Sequence, residues 1–132
     1  MKGSCCCGAV AYELTAPPTM MATCHCTRCR KLGASTFVFV RRDAFTLLRG
    51  AESIATMTPE PPYRYERSFC RHCGTALGEL NAVTDSFPIN AHTLDAEPGL
   101  SNRFHEFVAE KPEWLVIGDA GPQFPGHPQK AG

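Results

Sequence analysis

The stretch Ser4-Cys5-Cys6-Cys7-Gly8-Ala9-Val10-Ala11-Tyr12-Glu13-Leu14 sets a group of thiols directly against a strand pattern. Val10, Tyr12 and Leu14 recur at every second residue, and aromatic and branched side chains favour a pleated surface, so the second half reads as a β-strand. The same alternation carried back puts Cys5 and Cys7 on one side of the chain and Cys6 on the other, with Gly8 giving the backbone room to turn. Two further groups follow, Cys24, Cys26 and Cys29 in CHCTRCRKLG and Cys70 with Cys73 in FCRHCG. Thiols delivered in C-x-C and C-x-x-C pairs from short turns suit a tetrahedral metal, whereas disulfides need partners that face each other across a fold. The spacing therefore points to zinc.

Composition bounds the rest. A chain of 132 residues, 43% of them hydrophobic, is the size of one modest domain whose core a metal can reinforce. The expected division is a single zinc domain over residues 1–120 and an irregular tail, rich in Pro and Gly, over 121–132. Thirteen basic residues balance thirteen acidic ones. That balance supplies no positive field for nucleic acid or for an anionic membrane surface and favours a small-molecule or protein partner. The N-terminal residues lack the apolar run of a signal peptide, and no later run approaches membrane-spanning length, so a cytoplasmic protein with reduced thiols is expected.

Between the cysteines, strands dominate. Thr36 to Val40 is apolar on both faces and predicts a buried central strand near the cysteines that precede it. Further strands are expected at Phe45 to Leu48, Ile54 to Met57 and Tyr63 to Phe69, the last two parted by Pro59, Pro61 and Pro62. CHCTRCRKLG reads as a turn that can open into a single helical turn, with no long helix expected there. Leu77 to Ala82 is ambiguous, Asp95 to Gly99 predicts a turn, and His105 to Val108 and Trp114 to Ile117 are apolar pieces, with Trp114 read as core. The fold class expected from pattern alone is mainly β, stapled by metal, with few short helices.

The cysteines divide as four plus three. Cys70-Arg71-His72-Cys73-Gly74 has the form of a zinc-ribbon knuckle, and joining it to Cys5 and Cys7 gives a closed, structural four-thiolate site. Cys24, Cys26 and Cys29 then have no fourth cysteine except the spare Cys6, and three protein ligands leave an open position of the kind that distinguishes catalytic zinc. Spacing does not fix this pairing, since Cys5 and Cys7 can equally be joined to the Cys24 group. His25 and His72 lie between ligand cysteines, where the side chain is directed away from the metal. Arg28, Arg30 and Lys31 flank the second group and either attract anionic substrate groups or offset thiolate charge. His105, beside Phe104, Phe107 and Trp114, reads as a packed histidine or a proton shuttle.

SCCCGAVAYE, CHCTRCRKLGAS and FCRHCGTAL, with HTLDAEPGL and HEFVAEKPEWL more loosely, resemble the glutathione-dependent formaldehyde-activating family, whose domain also occurs in centromere protein V. The resemblance runs from about Ser4 to Trp114. It implies a β-tent of small antiparallel sheets, a structural zinc on Cys5, Cys7, Cys70 and Cys73, and a catalytic or labile zinc on Cys24, Cys26 and Cys29. It also implies an activity, the reversible formation and cleavage of an aldehyde–thiol adduct such as S-(hydroxymethyl)glutathione, formally a carbon–sulfur lyase reaction. The partners expected are a small aldehyde and a thiol such as glutathione, with no nucleic acid and no membrane. Two rivals stand beside this expectation: a non-catalytic zinc domain that binds a thiol or a protein, and a thiol redox or metal-handling protein.

Overall fold

A computed structural model describes residues 1–128. Its strands are β1 (Lys2–Ser4), β2 (Ala11–Leu14), β3 (Met20–Cys24), β4 (Thr36–Arg41), β5 (Phe45–Arg49), β6 (Ile54–Met57), β7 (Arg67–Cys70), β8 (Ala76–Gly78), β9 (Ser86–Asn90) and β10 (Asn102–Glu106), with a single α-helix, α1 (Thr27–Leu32), among the described residues. The protein is mainly β, as its alternation predicts. Three strands form one sheet in the order β1-β2-β5, and seven form the other in the order β10-β3-β4-β9-β8-β7-β6. The pairings are antiparallel except that of β10, which runs parallel to β3.

The inner faces of the two sheets meet in one apolar cluster. Tyr12 and Leu14 from β2 pack on Val38 and Val40 from β4 and on Phe87 and Ile89 from β9. Val38, Phe87 and Ile89 are wholly buried, and each such side chain contributes about 1.5–3 kcal/mol by leaving water. Phe45 links the layers, stacked on Tyr12 at 5.2 Å and edge-on to Phe87 at 5.3 Å. β4 lies inside its sheet between β3 and β9, which is why its residues are apolar on both faces.

Two expectations are corrected. Tyr63 to Glu66 do not join β7, which begins at Arg67; both tyrosines are exposed on a proline-bounded loop. Trp114 is not core: it is 80% exposed, in an irregular segment that no strand or helix presses against the sheets. Of the tail expected over 121–132, residues 129–132 lie outside the described residues. Residues 122–126 run beside β10, with hydrogen bonds from the His105 amide to Pro122 O, from the Phe124 amide to His105 O and from the Phe107 amide to Gly126 O. No helix among the described residues is long and apolar enough to cross a membrane.

Candidate metal centres

The turn between β1 and β2 carries Cys5 and Cys7; Cys70 closes β7, and Cys73 lies in the turn that leads to β8. Both turns close by the same means. Gly8 N–H donates to Cys5 O and Gly74 N–H to Cys70 O, and each glycine takes φ 79°, a left-handed conformation that a side chain disfavours. The four Sγ atoms all lie within 4.8 Å of one another. Cys5 and Cys7 Sγ are 3.7 Å apart, and Cys7 and Cys70 Sγ 3.8 Å. A zinc–sulfur bond of about 2.3 Å in a tetrahedron sets sulfurs about 3.8 Å apart, so this donor set fits that ion. The Val10 amide donates to Cys5 Sγ at 3.3 Å. The Thr75 hydroxyl and amide hold the Cys73 thiol down at about 5. Cys6 is exposed and His72 turns to Ser53 Oγ at 3.1 Å, so neither joins the cluster.

The second group is built at the end of β3. Cys24 closes that strand, Cys26 caps α1 by accepting the Cys29 amide on its Sγ at 3.3 Å, and Cys29 is the buried face of the helix. Gly33 ends α1 by returning its N–H to Cys29 O. The three Sγ atoms lie within 4.8 Å of one another, against a wall of Ala34, Phe37, Ala76 and Phe107. Hydrogen bonds from Cys24 and Cys29 hold Cys26 down at about 2, while the contacts of Cys24 with Cys26 and Cys29, with burial, push Cys24 up. Cys29, although Cys24 donates to it, is raised by Cys26 and by burial. A divalent cation is what allows all three to ionise together, and three soft thiolates in one small space select such an ion. Arg67, the first residue of β7, donates from Nη2 to Cys29 Sγ at 3.1 Å. Its position one strand away in sequence from the knuckle gives no signal by spacing, and the sequence reading misses it.

Residues 1–110 match the family described as glutathione-dependent formaldehyde-activating enzyme. The chain belongs to this family. A curated relative from Halomonas elongata, whose provisional name is glutathione-dependent formaldehyde-activating enzyme, is 31% identical over 129 residues, covering 89% of this chain and 80% of its own length. A crystal structure of a Rhodobacter sphaeroides protein is similar with a TM-score of 0.57 and 26% identity, over 75% of this chain and 92% of that one.

Within this member of the formaldehyde-activating family, the cations flanking the second group are placed unequally. Arg28 donates to Tyr65 O and lies 4.8 Å over the Tyr63 ring, so it ties α1 to the proline-bounded loop. Arg30 and Lys31 are exposed. His25 and His105 are both buried, with His25 Nε2 and His105 Nδ1 sharing a hydrogen bond of 2.9 Å and His105 Nε2 donating to Asp119 at 2.9 Å. Burial, with His105 beside it, pushes the His25 imidazole below its ordinary value and keeps it neutral. This chain lines a cavity of about 550 Å³, which Arg30 and Trp114 border but none of the three thiols enters. The alternation of β3 explains the separation, since Thr23 and His25 face the cavity and Cys24 faces the cluster. The sequence places His25 away from the metal but does not anticipate its partners.

Proposed function

We propose that this chain is a zinc-dependent carbon–sulfur lyase that makes and breaks the adduct of a small aldehyde with a thiol such as glutathione. In the forward direction the thiol sulfur bonds to the aldehyde carbon and the thiol proton passes to the aldehyde oxygen, giving a hydroxymethyl thioether from formaldehyde. The observation that carries the reading is the group Cys24, Cys26 and Cys29, three converging thiols with no fourth cysteine beside them. A zinc ion held there supplies a thiophilic position and Lewis acidity. Cys5, Cys7, Cys70 and Cys73 hold a second, structural zinc in the same reading.

The chain's own residues supply the setting. Phe37, Ala76 and Phe107 exclude water from the thiol side, which strengthens every charge interaction there. Arg30 and Lys31 are the free cations of α1 and meet the carboxylates of glutathione; Arg28, engaged with Tyr63 and Tyr65, fixes the proline-bounded loop against α1. His105 has both ring nitrogens occupied and acts as a support for His25. The acting unit is the domain over residues 1–120, in the cytoplasm, where thiols stay reduced.

Exchange between formaldehyde and its glutathione adduct, followed by carbon-13 exchange spectroscopy with fully zinc-loaded protein, tests the proposal. Acceleration that disappears in Cys29→Ser supports it. An unchanged exchange rate with both sites loaded rejects it, and tight glutathione binding in that case assigns the chain to non-catalytic thiol binding.

A further inference from the structure

We infer that Arg67 is the charge partner of the Cys24, Cys26 and Cys29 cluster and sets how firmly that cluster holds a divalent cation. This rests on the reading of the cluster as a metal site. Arg67 Nη2 donates to Cys29 Sγ at 3.1 Å, and the guanidinium lies 4.9 Å over the Phe37 ring. Its Nε is buried with no acceptor at all. The ion pairs among the described residues are Arg41 with Asp43, His105 with Asp119 and His127 with Glu106, so no carboxylate is in ion-pair contact with Arg67; Glu79 feels its charge from farther off, and burial pushes that carboxyl up. A guanidinium cannot shed its proton, and a partly buried cation with an orphaned donor is costly unless an anion faces it. The thiolates of Cys24, Cys26 and Cys29 are the anion in direct contact with it, through Cys29.

Charge arithmetic gives the consequence. Three thiolates and one divalent cation sum to minus one, which a single guanidinium cancels. The four-cysteine site sums to minus two with no cation on its sulfurs among the described residues, but Cys7 and Cys73 are exposed there and water shares the charge. Cys24 and Cys29 are buried, and water cannot do the same for them. Arg67 is therefore a positioning residue: it acts on the metal through Cys29 and compensates for the missing fourth ligand.

The test is zinc competition with a chromophoric chelator on zinc-loaded wild type, R67M, R67Q and R67K, with Cys29→Ser marking which release phase belongs to the three-cysteine cluster. Wild type should release zinc in two phases. In R67M and R67Q the marked phase should weaken roughly 10–100-fold, the range for residues that support a metal ligand, while the other phase stays unchanged and R67K stays within about threefold of wild type. R67Q and R67K decide the matter if R67M does not fold. Neutral variants that hold zinc in the marked phase as wild type does would overturn the inference. A wild type that binds only one zinc, with no phase lost in Cys29→Ser, would overturn the underlying metal reading and this inference with it.

Discussion

Thr23 and Cys24 are neighbours in β3 but serve different chemistry. Cys24 joins the thiol cluster, while Thr23 Oγ1 bonds Thr36 Oγ1 and Asn102 Oδ1, each at 3.0 Å, on the opposite face. Period-two alternation makes this separation legible from sequence, as it does for Cys5 and Cys7 against Cys6. Turn chemistry is legible for the same reason, because it is local. Gly74 takes φ 79° with nothing within 4 Å of where a Cβ would stand, so its constraint is one of backbone alone. Gly74→Ala should therefore cost about 1–3 kcal/mol in urea unfolding, and Gly74→Asn less, since asparagine tolerates the left-handed region. Equal costs for the two would point to a steric cause that the structure does not contain. Trp114 shows the limit of residue-level reading, because an aromatic side chain in an irregular segment carries no periodicity that says which way it faces.

β9 shows how an element can be hidden. Ser86–Asn90 contains Pro88, which reads as a breaker, yet the strand lies inside the seven-stranded sheet. Phe39, opposite Pro88, gives its carbonyl to the Thr19 amide, and Pro88 gives its own to the Glu79 amide. The polar groups of Pro88 thus point away from β4 toward β8, where the ladder thins to the single pair Gly78 and Ile89, and the missing donor is not needed. β10 is a second case, an edge strand covered by a returning segment with no pattern of its own. Asp119, at the start of that return, accepts from His105, from the Gly121 amide and from Asn102, and these bonds, that of His105 first, hold its carboxyl below the usual carboxylate value. A depressed carboxyl stabilises the fold above its unfolded pKa, and that stabilisation is lost as pH falls through the lowered folded value. Asp119→Asn should lower the urea midpoint at pH 7, and its difference from wild type should shrink as pH is taken below about 4. A difference that does not depend on pH would give Asp119 a role in shape alone.

In the proposed reading the two cysteine groups divide the work of the whole molecule. The four-cysteine group ties the turn that follows β1 in the small sheet to β7 in the large one, across 63 residues between Cys7 and Cys70. A structural zinc contributes about 10–16 kcal/mol, comparable with the whole stability of a small domain at about 5–15 kcal/mol. Cys70→Ser, or zinc removal from that site, should therefore leave the chain unfolded at 25 °C by circular dichroism, whereas Cys29→Ser should fold with its melting temperature within about 5 °C of wild type. The reverse order would exchange the roles assigned to the two groups. The sequence alone determined the three groups of candidate thiol donors and the mainly β class, because turns, alternation and ligand spacing are properties of adjacent residues. Tertiary structure alone decided that the knuckle meets Cys5 and Cys7, that Arg67 reaches Cys29 across 38 positions, and that His25 meets His105 across 80. Those encounters depend on which strands pair and in which register, and pairing is settled by burying the faces of both sheets together.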